Sequence, residues 1–354
     1  MYNISDYGKN SGGNFKMKLK NAAKMLSLSL AAAVVISGCS PATSNAKVVN
    51  INNGEDSISL SYANFAFHYT QSMYDVVYRS YYGDDYWTQD LYSDGEENMQ
   101  ASIKKELMDD LENAWILRKH AEEYGVTLSD DEKTKIAEAA KKFLSSNGKA
   151  TVKALGANEE LVKRYLEDSF YKEKVEKAIK DSFDISVSDE EAKQKTVTYV
   201  KIDEDKKSDA EDLAKIKESA SLETVAEEKG LTADSYSFGK DEIDSAQSDE
   251  DAGNDANHVL PLDVLKAVDK LANGKMTDAI HVEGDGYYVC RMDNDDDEEA
   301  TNTARESMIL KKQSEEYDTL LQGWKDETDW KIDEKQWKKV KVTDLFEKVN
   351  TEEE

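Results

Sequence analysis

The chain has 354 residues, long enough for two or three domains, and carries 46 Lys and Arg against 74 Asp and Glu, a formal net charge of −28. This charge would repel a phosphate backbone, which argues against nucleic acid as a partner. Charged residues make up 34% and hydrophobic residues 39%, which is typical of a soluble, helix-rich protein with a sizeable core.

The N-terminal segment has the order of a bacterial secretion signal. Several lysines precede the apolar run MLSLSLAAAVVISG, which is shorter than the ~20 residues of a spanning helix and ends at Cys39. Ile36–Cys39 resembles a lipobox. We therefore predict a lipoprotein signal peptide over 1–38, lipidation at Cys39, a tether over 39–47 and an extracytoplasmic, lipid-anchored protein. An uncleaved anchor helix is the alternative. With Cys39 lipidated, Cys290 has no disulfide partner and is expected to be a small buried residue.

The mature chain begins with a strand, an Asn-Gly turn and a helix. VVNI precedes the turn, and the apolar positions after Leu60 recur at helical spacing. This region is very aromatic, and its Tyr and Trp residues are Tyr62, Tyr69, Tyr74, Tyr78, Tyr81, Tyr82, Tyr86, Trp87 and Tyr92. Two interpretations stay open: the rings fill a core, or they form a surface for apolar segments of other proteins.

Charged helices follow. We predict helices over 97–124, from Ser129 to Leu144, and from Asn158 to about Ser182. Ser129 and Ser188 each precede a glutamate at the third following position, which predicts capping boxes. At the other end of the chain, 300–327 is predicted as a helix that buries the side chains Met308, Leu310, Tyr317, Leu320, Leu321 and Trp324.

The pattern between these helical parts changes to α+β. VTYVKI (197–202) alternates like a strand, SYSFG (235–239) is a short strand or loop, and the acidic stretch 241–257 is predicted as a mobile loop. A helix over 264–271 follows. GYYVCRM (286–292) is predicted to pair with the extended run before it and to join one sheet with VTYVKI.

The sequence lacks several common catalytic motifs. There is no HExxH, paired CxxC, GxGxxG, Walker loop or GxSxG, and the acidic run DNDDDEE lacks the glycine and final glutamate of an EF-hand. We therefore expect no metal site and no cofactor.

The order of these elements resembles the PrsA/SurA-type extracytoplasmic foldases. The resemblance is carried by INNGEDSIS, SDEEAKQKTVTYVKI, LETVAEEKGL, SFGK, LPLDVLKAVDKLANGKMTDAI and GYYVCRM. It implies an α+β protein: a mostly helical, discontinuous chaperone lobe with a small inserted parvulin-like peptidyl-prolyl isomerase domain. The implied segments are 48–184 and 300–354 for the lobe and 185–299 for the inserted domain.

The departures from the family bear on catalysis. Active parvulins carry histidines where this chain has Tyr199 and Tyr288, and the family's acid- or cysteine-bearing stretch before SFGK is absent. Tyrosine cannot exchange donor and acceptor roles as paired histidines do. Tyr199 and Tyr288 are therefore the catalytic candidates of a degenerate site. The implied substrate-binding residues are Phe238, Leu260, Val264, Leu265 and Tyr288.

The resemblance implies a membrane-anchored chaperone that binds unfolded, newly secreted polypeptides, with an isomerase-like domain that lacks efficient catalysis. The alternative is an active peptidyl-prolyl cis-trans isomerase acting on secreted proteins. A solute-binding transport lipoprotein is a weaker third reading, because it requires repeated strand–helix units that the sequence does not have.

Overall fold

A computed structural model describes residues 45–216, 221–251 and 258–345, and these residues form two compact units. The first unit contains 45–182 and 316–345, and the second contains the described residues of 183–315. Both units combine helices with a small antiparallel sheet, so the predicted α+β class with predominant helix is confirmed.

The elements follow in chain order. The strands are Lys47–Ile51 (β1), Asp56–Ser59 (β2), Gln194–Ile202 (β3), Ala233–Gly239 (β4), Ile280–Val282 (β5), Gly286–Asn294 (β6) and Trp330–Ile332 (β7). The α-helices are Leu60–Tyr82 (α1), Met99–His120 (α2), Asp130–Ser146 (α3), Lys149–Leu155 (α4), Glu159–Ser182 (α5), Asp189–Ala192 (α6), Lys207–Ala214 (α7), Leu222–Glu228 (α8), Lys240–Asp251 (α9), Leu262–Val268 (α10), Glu298–Glu327 (α11) and Glu334–Trp337 (α12). Short 3-10 helices lie at Asn52–Gly54, Tyr86–Thr88 and Ala121–Tyr124.

The sheet of the first unit has the order β2-β1-β7. The predicted Asn-Gly turn joins β1 to β2, and Asn53 and Gly54 adopt positive φ there. The other edge of β1 pairs with β7 from the far end of the chain, with Val49 opposite Ile332. Because the turn signal is local and the β7 pairing is not, only the first of these pairings could be predicted.

Local capping signals place the helices of the first unit. The Ser59 hydroxyl accepts the Tyr62 N–H at the start of α1. Ser129 and Glu132 form the predicted capping box at the start of α3. The core between these helices is largely aromatic: Phe65 makes edge contacts with Phe143 and Tyr165.

Helix α11 buries less than predicted. Only two of the six side chains predicted to be buried, Tyr317 and Leu321, are buried, whereas Leu310 is 66% exposed. Trp324 is half-buried and stacks on His120 with 4.0 Å between ring centroids. The remaining apolar contribution of this end of the chain comes instead from residues after the helix, where Trp337, Val340 and Leu345 are buried in the core of the first unit.

The sheet of the second unit has the order β4-β3-β6-β5. GYYVCRM lies in β6, and it pairs with both β5 and β3 as predicted. At the start of β6, Gly286 has φ +128°, and a Cβ there would lie 2.4 Å from the carbonyl oxygen of Ile202. Glycine is therefore required where the turn brings β6 against β3.

Residues 240–251 differ from the prediction of a mobile loop. They form helix α9, whose Ala246 is buried against the sheet and whose Ile243 is half-buried. The apolar side of this helix has few residues, so it is not evident in an acidic sequence. These few contacts with the sheet are enough to hold the helix against the second unit. The rest of the predicted loop, 252–257, lies outside the described residues.

Within the described part of the chain, no helix is both long enough and apolar enough to cross a membrane.

Candidate functional site

The two candidate catalytic tyrosines lie side by side in the second unit. In the antiparallel register of β3 and β6, Tyr199 is opposite Cys290 and Tyr288 is opposite Lys201. Residues two positions apart point to the same face of a sheet, so both rings face the same side, with centroids 6.4 Å apart. The structure therefore brings together the two tyrosines that the sequence motifs singled out.

The hydroxyl of Tyr288 already has a hydrogen-bond partner within the protein. It donates a hydrogen bond of 2.5 Å to Asp285 Oδ2, and Lys201 bonds the other oxygen of that carboxylate. Burial, with the Asp285 hydrogen bond and charge, raises the pKa of Tyr288, while Lys201 and Tyr288 lower the pKa of Asp285. The phenol is thus neutral, and its proton points at Asp285 rather than toward a ligand.

The predicted substrate-binding residues share one cluster with Tyr288. Phe238, Leu260, Val264 and Leu265 each have at most 1% of their surface exposed, and Tyr288 has 2%. These side chains are buried together with residues of the sheet in one hydrophobic cluster. Their role in binding substrate stays a prediction.

Cys290 faces the same cluster and is fully buried. Burial raises the pKa of its thiol to about 12, so the thiolate is negligible near neutral pH. It is a free cysteine and behaves as a small apolar side chain, as the sequence predicts. Cys39, the predicted lipidation site, lies outside the described residues.

Glu242 is a titratable group that the sequence did not single out. It lies in the first turn of α9, and its Oε2 accepts the N–H of Gly239 at 2.7 Å. Burial and the neighbouring Asp241 carboxylate raise the pKa of Glu242 to about 7. Because the stretch was predicted to be a loop, nothing in the sequence pointed to a half-buried carboxyl there.

The aromatic helix α1 of the first unit is divided into two parts. Its first part, from Tyr62 to Tyr69, is buried in the core. Its last part carries large side chains that are 45–71% exposed: Val76, Val77, Tyr81 and Tyr82. We call these four residues the exposed hydrophobic surface. The core interpretation of the aromatic region therefore holds for the first part of the helix, and a binding surface for apolar segments of other proteins stays a prediction for the last part.

The exposed hydrophobic surface rests on a stack of rings. Tyr78 stacks on Tyr82 with centroids 5.6 Å apart and on Tyr86 with centroids 5.9 Å apart. Tyr86 is buried and donates to the buried carboxylate of Asp75 at 2.9 Å. One of the four surface residues, Tyr82, is therefore held by a stack of rings that ends at a buried carboxylate.

An open groove of about 840 Å³ lies elsewhere on the first unit, between α2 and α5. Its floor includes Ile58 and Trp115, and its rim carries the cations Arg118, Lys119, Lys163 and Arg164. Arg118 bonds Asp168 and Glu167, each at 3.1 Å. The groove is lined by both apolar and charged side chains. Among the residues that the structure describes, no group of three or more His, Cys, Asp or Glu is placed to hold a metal ion.

No protein-family model matches the chain, and no curated protein matches its sequence. Solved structures do match. One comes from a study of the virulence factor PEB4 and the periplasmic protein Cj1289 of Campylobacter jejuni, two structurally related SurA-like chaperones. It is 10% identical, covers 81% of this chain and 99% of its own, and has a TM-score of 0.30.

Two further matches are PrsA proteins. The peptidylprolyl isomerase PrsA from Bacillus cereus is 18% identical and covers 84% of this chain and 98% of its own, with a TM-score of 0.30. The foldase protein PrsA from Streptococcus pneumoniae is 16% identical and covers 68% of this chain and 89% of its own, with a TM-score of 0.26. These solved proteins are PrsA- and SurA-like foldases, the family whose motifs this sequence resembles.

Proposed function

We propose that this protein is an extracytoplasmic chaperone that binds unfolded, newly secreted polypeptides through the exposed hydrophobic surface at the end of α1. The observation that carries the proposal is the exposure of four large side chains, Val76, Val77, Tyr81 and Tyr82, within the last two turns of one helix. Exposed apolar surface that is concentrated in one place on a protein marks an interaction site.

The chemistry of the surface fits a client of variable sequence. Tyrosine offers a large apolar face and a polar hydroxyl at low cost in conformational entropy, so it accepts many apolar partners. The net charge of −28 keeps chains apart by repulsion, which protects a protein that exposes hydrophobic side chains. The sequence motifs that resemble PrsA/SurA-type foldases support the same proposal.

The test is suppression of aggregation of a chemically denatured reporter protein by the soluble chain beginning at Ser40. The triple variant Val76→Ser, Val77→Ser, Tyr81→Ser should lose most of this activity while keeping its circular dichroism spectrum. Leu310→Ser is the matched control, because it removes one large exposed side chain on α11, outside the surface. Equal protection by the triple variant and the wild type would show that this surface is not the client site.

For the second unit we propose a parvulin-like domain that isomerises prolyl bonds poorly or not at all. Catalysis of this reaction requires better binding of the twisted imide than of the planar one. The Tyr288 hydroxyl is buried and donates to Asp285, which supports the proposal that this tyrosine is not a free donor for the imide. A protease-free isomerisation assay tests this: robust acceleration that is lost in Tyr288→Ala would favour the alternative, an active peptidyl-prolyl isomerase.

The proposed arrangement in the cell follows from the sequence. We propose anchoring to the bacterial membrane by a lipid on Cys39, a helical client-binding lobe formed by 48–184 with 300–354, and the parvulin-like domain at 185–299. The partners are unfolded polypeptides and, through the lipid, the membrane.

A further inference from the structure

The last described residues, 338–345, run along the first unit without joining a strand or helix. We call them the tail segment. Their backbone is held by side chains of α1 and α2. Lys104 Nζ donates to the carbonyl oxygens of Trp337 and Val340 at 3.0 and 2.8 Å, and Gln100 Oε1 accepts the N–H of Val342 at 2.7 Å. The hydrogen bonds that a sheet would supply are replaced here by side-chain groups.

Two buried residues of α1 continue this pattern. The amide of Gln71 pairs with the backbone of Thr343 in both directions: Nε2 donates to its carbonyl oxygen at 2.6 Å, and Oε1 accepts its N–H at 3.3 Å. His68 Nε2 lies 3.2 Å from the carbonyl oxygen of Lys341. The tail groove is the surface formed by His68, Gln71, Gln100 and Lys104.

The side chains of Gln71 and His68 are oriented by hydrogen bonds to residues outside the tail. The second N–H of the Gln71 amide donates to Asp75 Oδ2 at 3.2 Å, and Asp75 in turn accepts from Trp87 at 3.0 Å. Asn64 Nδ2 lies 3.3 Å from His68 Nδ1, so that nitrogen accepts and Nε2–H is left to donate to the tail. Burial lowers the pKa of His68, which favours this neutral form. The polar groups are therefore fixed by contacts that do not involve the tail.

The tail segment also shows which side chains the groove accepts. Val340 and Leu345 are buried, five positions apart, while Lys338, Lys339 and Lys341 remain exposed. The polar contacts named above go to backbone atoms of the tail and its preceding residue, and Thr343 Oγ1 also lies 3.5 Å from His68 Nε2. The tail turns at Lys338 and Lys339, and this turn precedes the stretch that the groove side chains bond. Recognition thus goes mainly through the peptide backbone and two apolar anchors, and cationic side chains between and before them suit a protein of strongly acidic charge.

We propose that the tail groove is a second binding site for polypeptide, and that the tail segment is a resident ligand that client segments displace. The client class is a peptide that can adopt the conformation of the tail, with two aliphatic anchors five positions apart and lysine or arginine beside them. This inference rests on the proposed chaperone function. It adds a second site, distinct from the exposed hydrophobic surface, that recognises the backbone of the bound peptide.

Displacement is physically reasonable because the tail segment is held differently from the strand that precedes it. β7 exchanges ladder hydrogen bonds with β1, whereas the tail has side-chain partners for its backbone and two anchoring side chains. An incoming peptide presents the same carbonyl and N–H groups, so it can replace the tail without leaving Gln71 or His68 unpaired. The groove is then never left empty with buried polar groups unsatisfied.

The probe is a fluorescent peptide with the tail sequence KKVKVTDL, added to the whole chain beginning at Ser40. The variant Val340→Asp, Leu345→Asp weakens the resident tail and should bind the probe at least tenfold more tightly than the wild type. Adding Gln71→Ala to that variant should weaken its binding of the probe by at least tenfold. The matched control peptide, KKDKVTDD, has both anchors replaced and should not bind.

Hydrogen exchange on the wild-type protein tests the same proposal without a variant. Saturating probe should reduce the protection of the resident tail amides of Val342 and Thr343 while Lys331 in β7 keeps its own. Unchanged protection of the tail at saturation overturns the proposal, as does a lack of probe binding by the folded Asp variant. Tail exchange between two copies, seen as a dimer that excludes the probe, overturns the client assignment.

The arms also separate this proposal from the chaperone function. The triple variant in the exposed hydrophobic surface should bind the probe as the wild type does. If that variant and the wild type both bind the probe but neither protein protects an unfolded reporter, the chaperone proposal is wrong and the groove proposal is retained. If reporters are protected and the probe leaves the tail in place, only the groove proposal fails.

Discussion

Tyr62 Oη donates a hydrogen bond of 2.6 Å to Asp168 Oδ2, across 106 positions of sequence. The bond joins α1 to α5, and Arg118 of α2 reaches the other oxygen of the same carboxylate at 3.1 Å. Tyr62 is almost fully buried, and burial together with Asp168 raises the pKa of its hydroxyl well above the usual value. Three helices of the first unit thus meet at one carboxylate.

Breaking this junction should destabilise the first unit in two graded steps. Tyr62→Phe removes the donor and should cost about 1–2 kcal/mol of the free energy of unfolding, because Asp168 keeps its arginine. Asp168→Ala should cost about 3 kcal/mol, because it leaves the buried Tyr62 hydroxyl without an acceptor and removes the inner of the two carboxylates that bond Arg118. Urea unfolding followed by tryptophan fluorescence measures both. Glu167→Ala, which removes the outer partner of Arg118, should cost less than about 1 kcal/mol; an equal loss in all three variants would contradict this account.

Glu242 should make the second unit less stable as the pH rises. The folded-state pKa is raised to about 7 from an ordinary value of 4.5, so the folded state binds this proton more tightly than the unfolded state. Its stabilising contribution is fully present below pH 4.5 and is lost as the pH rises through about 7. The lowered pKa values of Asp285 and Asp297 act in the opposite direction, and their contribution is lost only as the pH falls below the ordinary carboxyl range.

Thermal melting at pH 5 and pH 8 tests this assignment. Glu242→Gln should reduce the difference in Tm between the two pH values by about 2–4 °C. Glu250→Gln, a change at an exposed carboxylate on the same helix, should retain the wild-type difference. A wild-type pH dependence that survives Glu242→Gln would assign the effect to other groups.

A chain that ends at Glu327 should lose the structure of its first unit. It lacks β7 and the three buried side chains Trp337, Val340 and Leu345, which together contribute on the order of 5 kcal/mol before the entropy of ordering is counted. Limited proteolysis with mass spectrometry should show rapid cleavage within 45–182 and slower cleavage within 183–315. Full-length Lys338→Ala serves as the control at an exposed position. Resistance equal to that of the full chain would mean that the first unit is complete without its C-terminal segment.

Lipidation at Cys39 is a prediction from the signal-like N-terminus. Cys39→Ala should leave an unprocessed precursor without a diacylglyceryl label, because the thiol is the attachment atom. Metabolic labelling with a fatty acid analogue, with Cys290→Ala as the control cysteine, decides the matter. Fatty acid incorporation and cleavage that persist in Cys39→Ala would show that the lipobox assignment is wrong.

Local signals explain what the sequence predicted correctly. The Ser129 and Ser188 capping boxes, the Asn-Gly turn and the alternation in VTYVKI each act within a few residues, so they are readable without a fold. GYYVCRM could be placed beside its hairpin partner for the same reason. These signals were sufficient for the class and for the order of the helical and α+β parts.

What the sequence did not predict depends on distant partners. The pairing of β7 with β1 and the contact of Gln71 with Thr343 join the two ends of the described chain, and neither leaves a local pattern. Leu310 was predicted to be buried because it lies at helical spacing, yet no element covers it to the extent that Tyr317 is covered. Spacing identifies one side of a helix but not how much of that side finds a partner.

The candidate site shows the same division. The structure places Tyr199 and Tyr288 on one face of the sheet, which follows from alternation along two paired strands. The hydrogen bond to Asp285 and the closure of the surrounding cluster depend on side-chain packing, which the sequence does not specify.

The pairing of β1 with β7 also fixes the order in which the protein can be completed. A polypeptide that emerges with its N-terminus first presents Val48, Val49 and Ile51 long before Trp330–Ile332 exists to pair with them. Residues 183–315 are contiguous, so the second unit can close while the first still lacks a strand. Contacts this distant in sequence form slowly. During its own synthesis the protein is therefore an unfinished chain with an exposed hydrophobic strand, in the same condition as the clients we propose for it.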